Sequence, residues 1–290
     1  MYKSKRYAYD YDDYEEGDKS AETMIADIMA DEEFPSLDEI IIGSWGDAWE
    51  DACQSIIDDI IANKDKFSHI KSLFIGDMDF EDCEVSWIIQ ADYSKLWAAM
   101  PQLESLSIKG STDLILGDIQ HDNLKKLEII CGGLPCSVIE SITNAKLPSL
   151  ETLLLYIGVE DYGFDGDEGT IETLLKESDF PALKYLGLED SEMQDDITEL
   201  VFNSKYISQI ETLDLANGSL TNKGGQFIAD HLKDYPNIRK VDLHFHYMTD
   251  EVMDKLDDLA DELDVEINVD EDNEADEWDG QMYYDPMLTE

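Results

Sequence analysis

Apolar and polar positions along the chain fall into a short recurring pattern. Eight runs carry apolar-x-x-apolar-x-apolar: FPSLDEIII (34–42), FSHIKSLFI (67–75), MPQLESLSI (100–108), HDNLKKLEI (121–129), LPSLETLLL (147–155), FPALKYLGL (180–188), ISQIETLDL (207–215) and YPNIRKVDL (235–243). Their middle apolar residues are Ile40, Leu73, Leu106, Leu127, Leu153, Leu186, Leu213 and Val241, spaced by 33, 33, 21, 26, 33, 27 and 28 residues. The last two apolar residues of each run stand two apart, so both face one side of a strand while their neighbours face the other. A strand this short is not stable alone, and stacking it on its neighbours buries it. A weaker ninth strand is expected at Val265–Val269.

Between the runs the period changes to that of a helix. Ala48, Trp49, Ala52, Cys53, Ile56, Ile57, Ile60 and Ile61 recur at helical spacing, with Asp58 and Asp59 on the opposite face. Val252, Met253, Leu256, Leu259, Ala260 and Leu263 repeat the pattern, as do Phe227, Ile228, His231 and Leu232, and Thr249-Asp250-Glu251 supplies capping chemistry before a helix over 250–263. Residues 5–33 read as an N-terminal strand and helix, with alternation from Arg6 to Tyr11 and an amphipathic face of Ala21, Met24, Ile25, Ile28 and Met29.

The P-x-L-x-x-L-x-L cores at 148–155 and 181–188 resemble leucine-rich repeats of the ribonuclease-inhibitor-like type. The resemblance spans roughly residues 35–265 and implies an α/β leucine-rich-repeat solenoid, a horseshoe with parallel strands on the concave face and helices on the convex face. It departs from the family pattern at the Asn or Cys ladder: three residues past the last apolar position stand Met78, Ser111, Gly132, Gly158, Ser191, Gly218 and His246. The stretches 42–45, 83–88 and 242–247 resemble those of a bacterial branch to which no activity is assigned. The expected organisation is a cap over 1–34, an array of about eight repeats over 35–265, and an acidic tail or cap over 266–290 that nevertheless holds Trp278, Met282, Tyr283, Tyr284, Met287 and Leu288.

Composition narrows the job. Of 290 residues, 69 are acidic and 20 basic, a net charge of −49, and 43% are hydrophobic, so the chain can build a core. Such a charge repels phosphates, which argues against nucleic acid and anionic membrane as partners. The N-terminal residues lack an apolar signal core, and the four cysteines show no paired spacing, so free thiols in a cytoplasmic setting are expected.

Outward positions of the strands carry the candidate binding chemistry. Phe74, Leu154, Tyr156 and Tyr185 are apolar or aromatic anchors, and Glu189, Asp214, Asp242 and His244 add charge for steering. The expected function is a non-enzymatic interaction module that binds a basic protein partner on the concave face, as an inhibitor, an immunity protein or a scaffold. No catalytic constellation, cofactor motif or metal set is assigned. The competing readings are a metal-dependent enzyme or factor using His244, His246 and Asp242, and a nucleic-acid mimic. Weaker candidates are a calcium loop from Asp161 to Glu172, with acidic residues at positions 1, 5 and 12 and Gly166 at 6, and an activated thiol at Cys136 before a helix.

Overall fold

A computed structural model describes residues 2–288. Ten strands form one parallel sheet in strict chain order. They are β1 (Ser4–Tyr7), β2 (Glu39–Ile42), β3 (Ser72–Ile75), β4 (Ser105–Lys109), β5 (Lys126–Ile130), β6 (Thr152–Gly158), β7 (Tyr185–Ser191), β8 (Thr212–Asp214), β9 (Lys240–Asp242) and β10 (Glu266–Asn268). A separate antiparallel pair, β11 (Asp276–Trp278) and β12 (Gln281–Tyr283), follows. Sequential parallel strands without reordering are the signature of a repeat solenoid.

The aligned apolar positions are register partners. Ile40, Leu73, Leu106, Leu127, Leu153, Leu186, Leu213, Val241 and Ile267 stand side by side across β2 to β10. All but Ile267 are fully buried, and each buried side chain of this size contributes about 1.5–3 kcal/mol. At the first strand the inward positions turn polar. Lys5 pairs with Ile40 and forms ion pairs with Asp31 (2.6 Å) and Glu33 (2.8 Å), while the Tyr7 hydroxyl donates to Asp31 (2.7 Å). These charged and polar groups seal the end of the sheet.

Helices cover the inward side and pack on one another in sequence. They are α1 (Tyr11–Glu15), α2 (Ala21–Ala30), α3 (Gln54–Ala62), α4 (Leu96–Ala99), α5 (Cys136–Thr143), α6 (Glu168–Glu177), α7 (Gln194–Phe202), α8 (Asn222–His231) and α9 (Asp250–Leu263). Helix α2 packs on α3, and α5 to α9 stack pairwise. Their apolar faces and the inward strand residues make one continuous core. No helix among the described residues is long and apolar enough to cross a membrane.

Three expectations about the helices are corrected. The helix expected from Ala48 begins only at Gln54; before it, the Cys53 amide donates to the Ile89 carbonyl (3.3 Å), and Trp49 is left exposed. No described helix lies between β4 and β5, the 21-residue repeat. That length is too short for strand, turns and helix, so isolated parallel bridges such as Ile89 to Thr112 and Asp92 to Ile115 cover the core instead. Helix α9 starts where expected, but the Thr249 hydroxyl does not cap it: it donates to the Asn222 side chain (3.2 Å) in the preceding repeat.

The chain must turn sharply as it leaves each strand, and at β7, β8 and β9 it does so through left-handed residues at matching positions: Asp190 (φ 59°), Asn217 (φ 63°) and Phe245 (φ 57°). Asp and Asn tolerate that region better than most residues. At Gly158 (φ 72°) a side chain would lie 1.9 Å from the Gly132 carbonyl, so only glycine fits.

Candidate functional site

On the outward side of the sheet, register again sets neighbours. One row runs from Ile41, Phe74 and Ser107 through Glu128 and Leu154 to Gly187, Asp214 and Asp242. Tyr185 lies in the row before it, alongside Thr152 and Thr212, and Tyr156 faces Glu189 in the row after. Thus Phe74 and Leu154 share a row, and Tyr156, Tyr185, Glu189 and Asp214 converge over β6 to β8. Gly187 is what lets Leu154 lie flat: a Cβ there would meet the Leu154 Cδ1 at 2.3 Å.

The carboxylates are not the open charges that an outward position implies. Glu189 is only 3% exposed, and Asp214 is also buried. Asn217 donates to Glu189 (2.8 Å), and its amide also reaches the Tyr156 hydroxyl (3.4 Å). The Tyr185 hydroxyl donates to Asp214, and the Ala216 amide donates to its other oxygen (3.3 Å). Glu189 and Asp214 are close enough to act on each other's ionisation. Burial, reinforced by the Asp214 charge, pushes Glu189 up to about 9. Burial raises Asp214 as well. Two buried carboxyls beside each other cannot both ionise cheaply, so burial and mutual repulsion favour a proton held by the pair. Burial next to these acids also raises Tyr156 and Tyr185, which stay neutral donors.

Asp242 behaves differently. Burial works to raise it, but hydrogen bonds from His244 and Lys240 outweigh that and hold it low. Its oxygens accept from His244 Nδ1 (2.8 Å) and Asn268 (2.9 Å), and Lys240 lies 3.2 Å away. Glu128 is likewise engaged, by Lys126 (3.0 Å) and Ser107. The carboxylates of this face are therefore paired or share a proton.

The histidines do not form a metal pair. His246 is fully buried; its Nδ1 accepts from the Met248 amide (3.1 Å), which leaves Nε2–H to donate to the Val269 carbonyl (2.9 Å). Both ring nitrogens are thereby used by backbone, while His244 is committed to Asp242. Among the described residues, no three His, Cys, Asp or Glu side chains come together in a way that could hold a metal. The calcium loop dissolves into two caps. Asp165 accepts from the Cys136 amide at the start of α5 (2.7 Å), and Asp167 caps α6 by accepting from the Thr170 amide (3.1 Å). The Cys136 thiol is raised, not lowered, by burial together with Asp165 and Asp167, and all four cysteines are free.

Two residues of the site escaped sequence reasoning. Asn217 joins Tyr156 to Glu189, and Asp190 is fully buried beside it in the chain path, its one oxygen accepting from the Leu288 amide (2.8 Å). Among the described residues, the other Asp190 oxygen and the Asn217 side-chain oxygen have no hydrogen-bond partner. Burial pushes Asp190 up to about 8. A signal was present: each stands two residues past the last apolar strand residue, Leu188 or Leu215, where an Asp or Asn marks a left-handed turn.

Neither a protein-family model nor a curated protein matches the chain. A solved structure does: the crystal structure of a Bacteroides fragilis protein, a structural-genomics target, is 42% identical, with a TM-score of 0.86 over 94% of this chain and 75% of that one.

Proposed function

The chain belongs to the same family as the Bacteroides fragilis protein, and from that premise we propose that it is a non-enzymatic protein-interaction module, a leucine-rich-repeat horseshoe that grips a partner protein on its strand-lined concave face. The observation that carries this reading is the unbroken ladder of ten parallel strands with half-buried apolar side chains spread over its outward side among polar ones. Ile41, Phe74, Leu154, Tyr156 and Tyr185 are neither sealed in the core nor fully solvated, which suits anchors that complete their burial against another surface. The hydrogen-bonded acids of β7 to β9 hold the aromatic hydroxyls in fixed geometry, so little ordering remains to be done on binding.

The partner is a basic protein. Long-range attraction comes from the −49 charge of the whole molecule, and local grip comes from the anchors, because the acids of the face are already paired. An inhibitor or immunity protein for a basic toxin, or a scaffold for a basic enzyme, fits this division of labour. The test is capture from the native host at low and high salt, with wild type and Leu154→Asp. The expected result is a basic partner lost both at high salt and from the variant. Neutral or acidic partners held equally at both salts and by both proteins would overturn the reading.

A further inference from the structure

The C-terminal segment carries a second exposed surface, in the β11–β12 hairpin. In the β11–β12 hairpin, Trp278 stands opposite Gln281 and Asp276 opposite Tyr283, so these four side chains share one face. Trp278 is 76% exposed and Tyr283 44%, and nearby Met282 and Met287 are exposed by more than half. A lone two-stranded hairpin is marginal in water, and this one gains little from burying its own apolar groups.

It is nevertheless tied to the repeat body on both sides. Before it, the Asn273 amide donates to the His246 carbonyl (2.8 Å). After it, Tyr247 donates to the Asp285 carbonyl (2.7 Å), the Met287 amide donates to the Asn217 carbonyl (2.8 Å), and the Leu288 amide donates to Asp190 (2.8 Å). Pro286 is buried, and the Tyr284 ring meets Tyr247 edge-on at 5.2 Å. A segment whose task was only to seal the last repeat would turn its tryptophan inward. This one anchors its flanks and turns Trp278 and Tyr283 out.

Charge selects the occupant. From Asp270 to Glu290 there are nine Asp or Glu and no Lys or Arg, and neighbouring α9 carries seven acidic residues against Lys255 alone. A second copy would set these carboxylates against one another, and phosphate-bearing partners are repelled too. We propose that the hairpin is a docking surface for a basic segment of a partner protein, with Trp278 and Tyr283 as apolar anchors and the surrounding carboxylates as the charge complement. Tryptophan and tyrosine ringed by polar groups are the usual composition of a binding hot spot. The surface goes beyond the sheet-face reading and stands without it.

The test uses the full chain and three synthetic peptides of equal length: alternating Lys and Leu, alternating Lys and Ser, and alternating Glu and Leu. Binding is followed by calorimetry at moderate salt. The Lys–Leu peptide is expected to bind, and the combined Trp278→Ser and Tyr283→Ser substitutions, which leave the charge unchanged, to weaken the hairpin-dependent binding about tenfold or more. The Lys–Ser peptide should bind weakly and ignore those substitutions. The hairpin substitutions should weaken Lys–Leu binding by the same factor in a Leu154→Ser background, whatever that change does at the sheet face, which separates this proposal from the previous one. Far-ultraviolet circular dichroism checks that the variants fold. Equal affinity of wild type and hairpin variant for Lys–Leu, comparable binding of Glu–Leu, or a hairpin effect that disappears in the Leu154→Ser background would overturn it. So would a concentration-dependent dimer that Trp278→Ser abolishes, because the patch would then belong to a second copy.

Discussion

Single residues set the proton balance of this protein. Glu189 and Asp190 are adjacent in sequence, face opposite environments and are both buried, and burial pushes them up to about 9 and about 8. Unfolded, each would titrate in the ordinary carboxylate range, so between there and pH 8 to 9 the folded state holds more protons. Stability contributed in this way is present at low pH and falls as pH rises. The melting temperature should therefore drop between about pH 5 and about pH 9. General repulsion among 69 acids acts in the same direction, so the discriminating protein is Glu189→Gln with Asp190→Asn, which keeps both hydrogen-bonding shapes without a titrating proton. Its melting temperature should fall much less over the same range; an unchanged slope would show that the pair is ionised when folded. None of this was legible from the strand pattern. Alternation assigned Glu189 and Asp214 to the outward face, which is where they are, but exposure also depends on what lies across them. Tyr156 and Tyr185 come from neighbouring strands, and Leu288 reaches Asp190 from 98 residues away.

At the level of elements, the strands were readable and the connections only partly so. Inward strand positions need an apolar residue at every second place, a constraint strong enough to align eight runs into the observed register. Connections are bound only by having to cover the core, and helices, three-residue turns and isolated bridges all do this; over 110–125 the one sign that a helix is missing is the short 21-residue spacing from Leu106 to Leu127. Acidic spacing over Asp161–Glu172 likewise permitted an ion loop, whereas the chain uses those carboxylates on amides. Asp165 holds the first turn of α5, and Asp167 with Thr170 forms a reciprocal capping box on α6. Asp165→Ala and Asp167→Ala should each cost about 1 kcal/mol in denaturant unfolding. The groups that they hold touch, Cys136 Sγ to Thr170 Oγ1 at 3.7 Å, so the double variant should depart from the sum. Added calcium should leave all four midpoints, wild type included, where they were; a calcium-dependent rise confined to wild type would restore the ion-loop reading.

Over the whole molecule, charge is distributed unevenly along a fold whose stability is passed from neighbour to neighbour. Residues 250–290 hold 18 of the 69 acidic residues and only one of the 20 basic ones, Lys255, so a seventh of the chain carries about a third of the net charge. That charge sits at one end of the sheet, on α9, β10 and the hairpin. In a solenoid each repeat is held by the repeats beside it, and a terminal repeat has half the support of an internal one. The C-terminal end thus combines the weaker support with the stronger self-repulsion. The central repeats, β4 to β6, have buried neighbours on both sides and a modest local charge. Salt shortens the reach of repulsion from about 10 Å at 0.1 M to about 3 Å at 1 M, while leaving core burial largely intact. Hydrogen exchange followed by mass spectrometry should therefore show β9, β10 and α9 opening fastest at low salt. Raising sodium chloride should slow exchange there far more than in β4 to β6. A protection profile that rises evenly along the chain would mean that repulsion is a property of the molecule as a whole. In that case the acidic end would gain nothing special when a basic partner neutralises it. The expected gradient implies the converse: a cation-rich partner binding at the hairpin should protect α9 and β10 from exchange as salt does, beyond the residues that it touches.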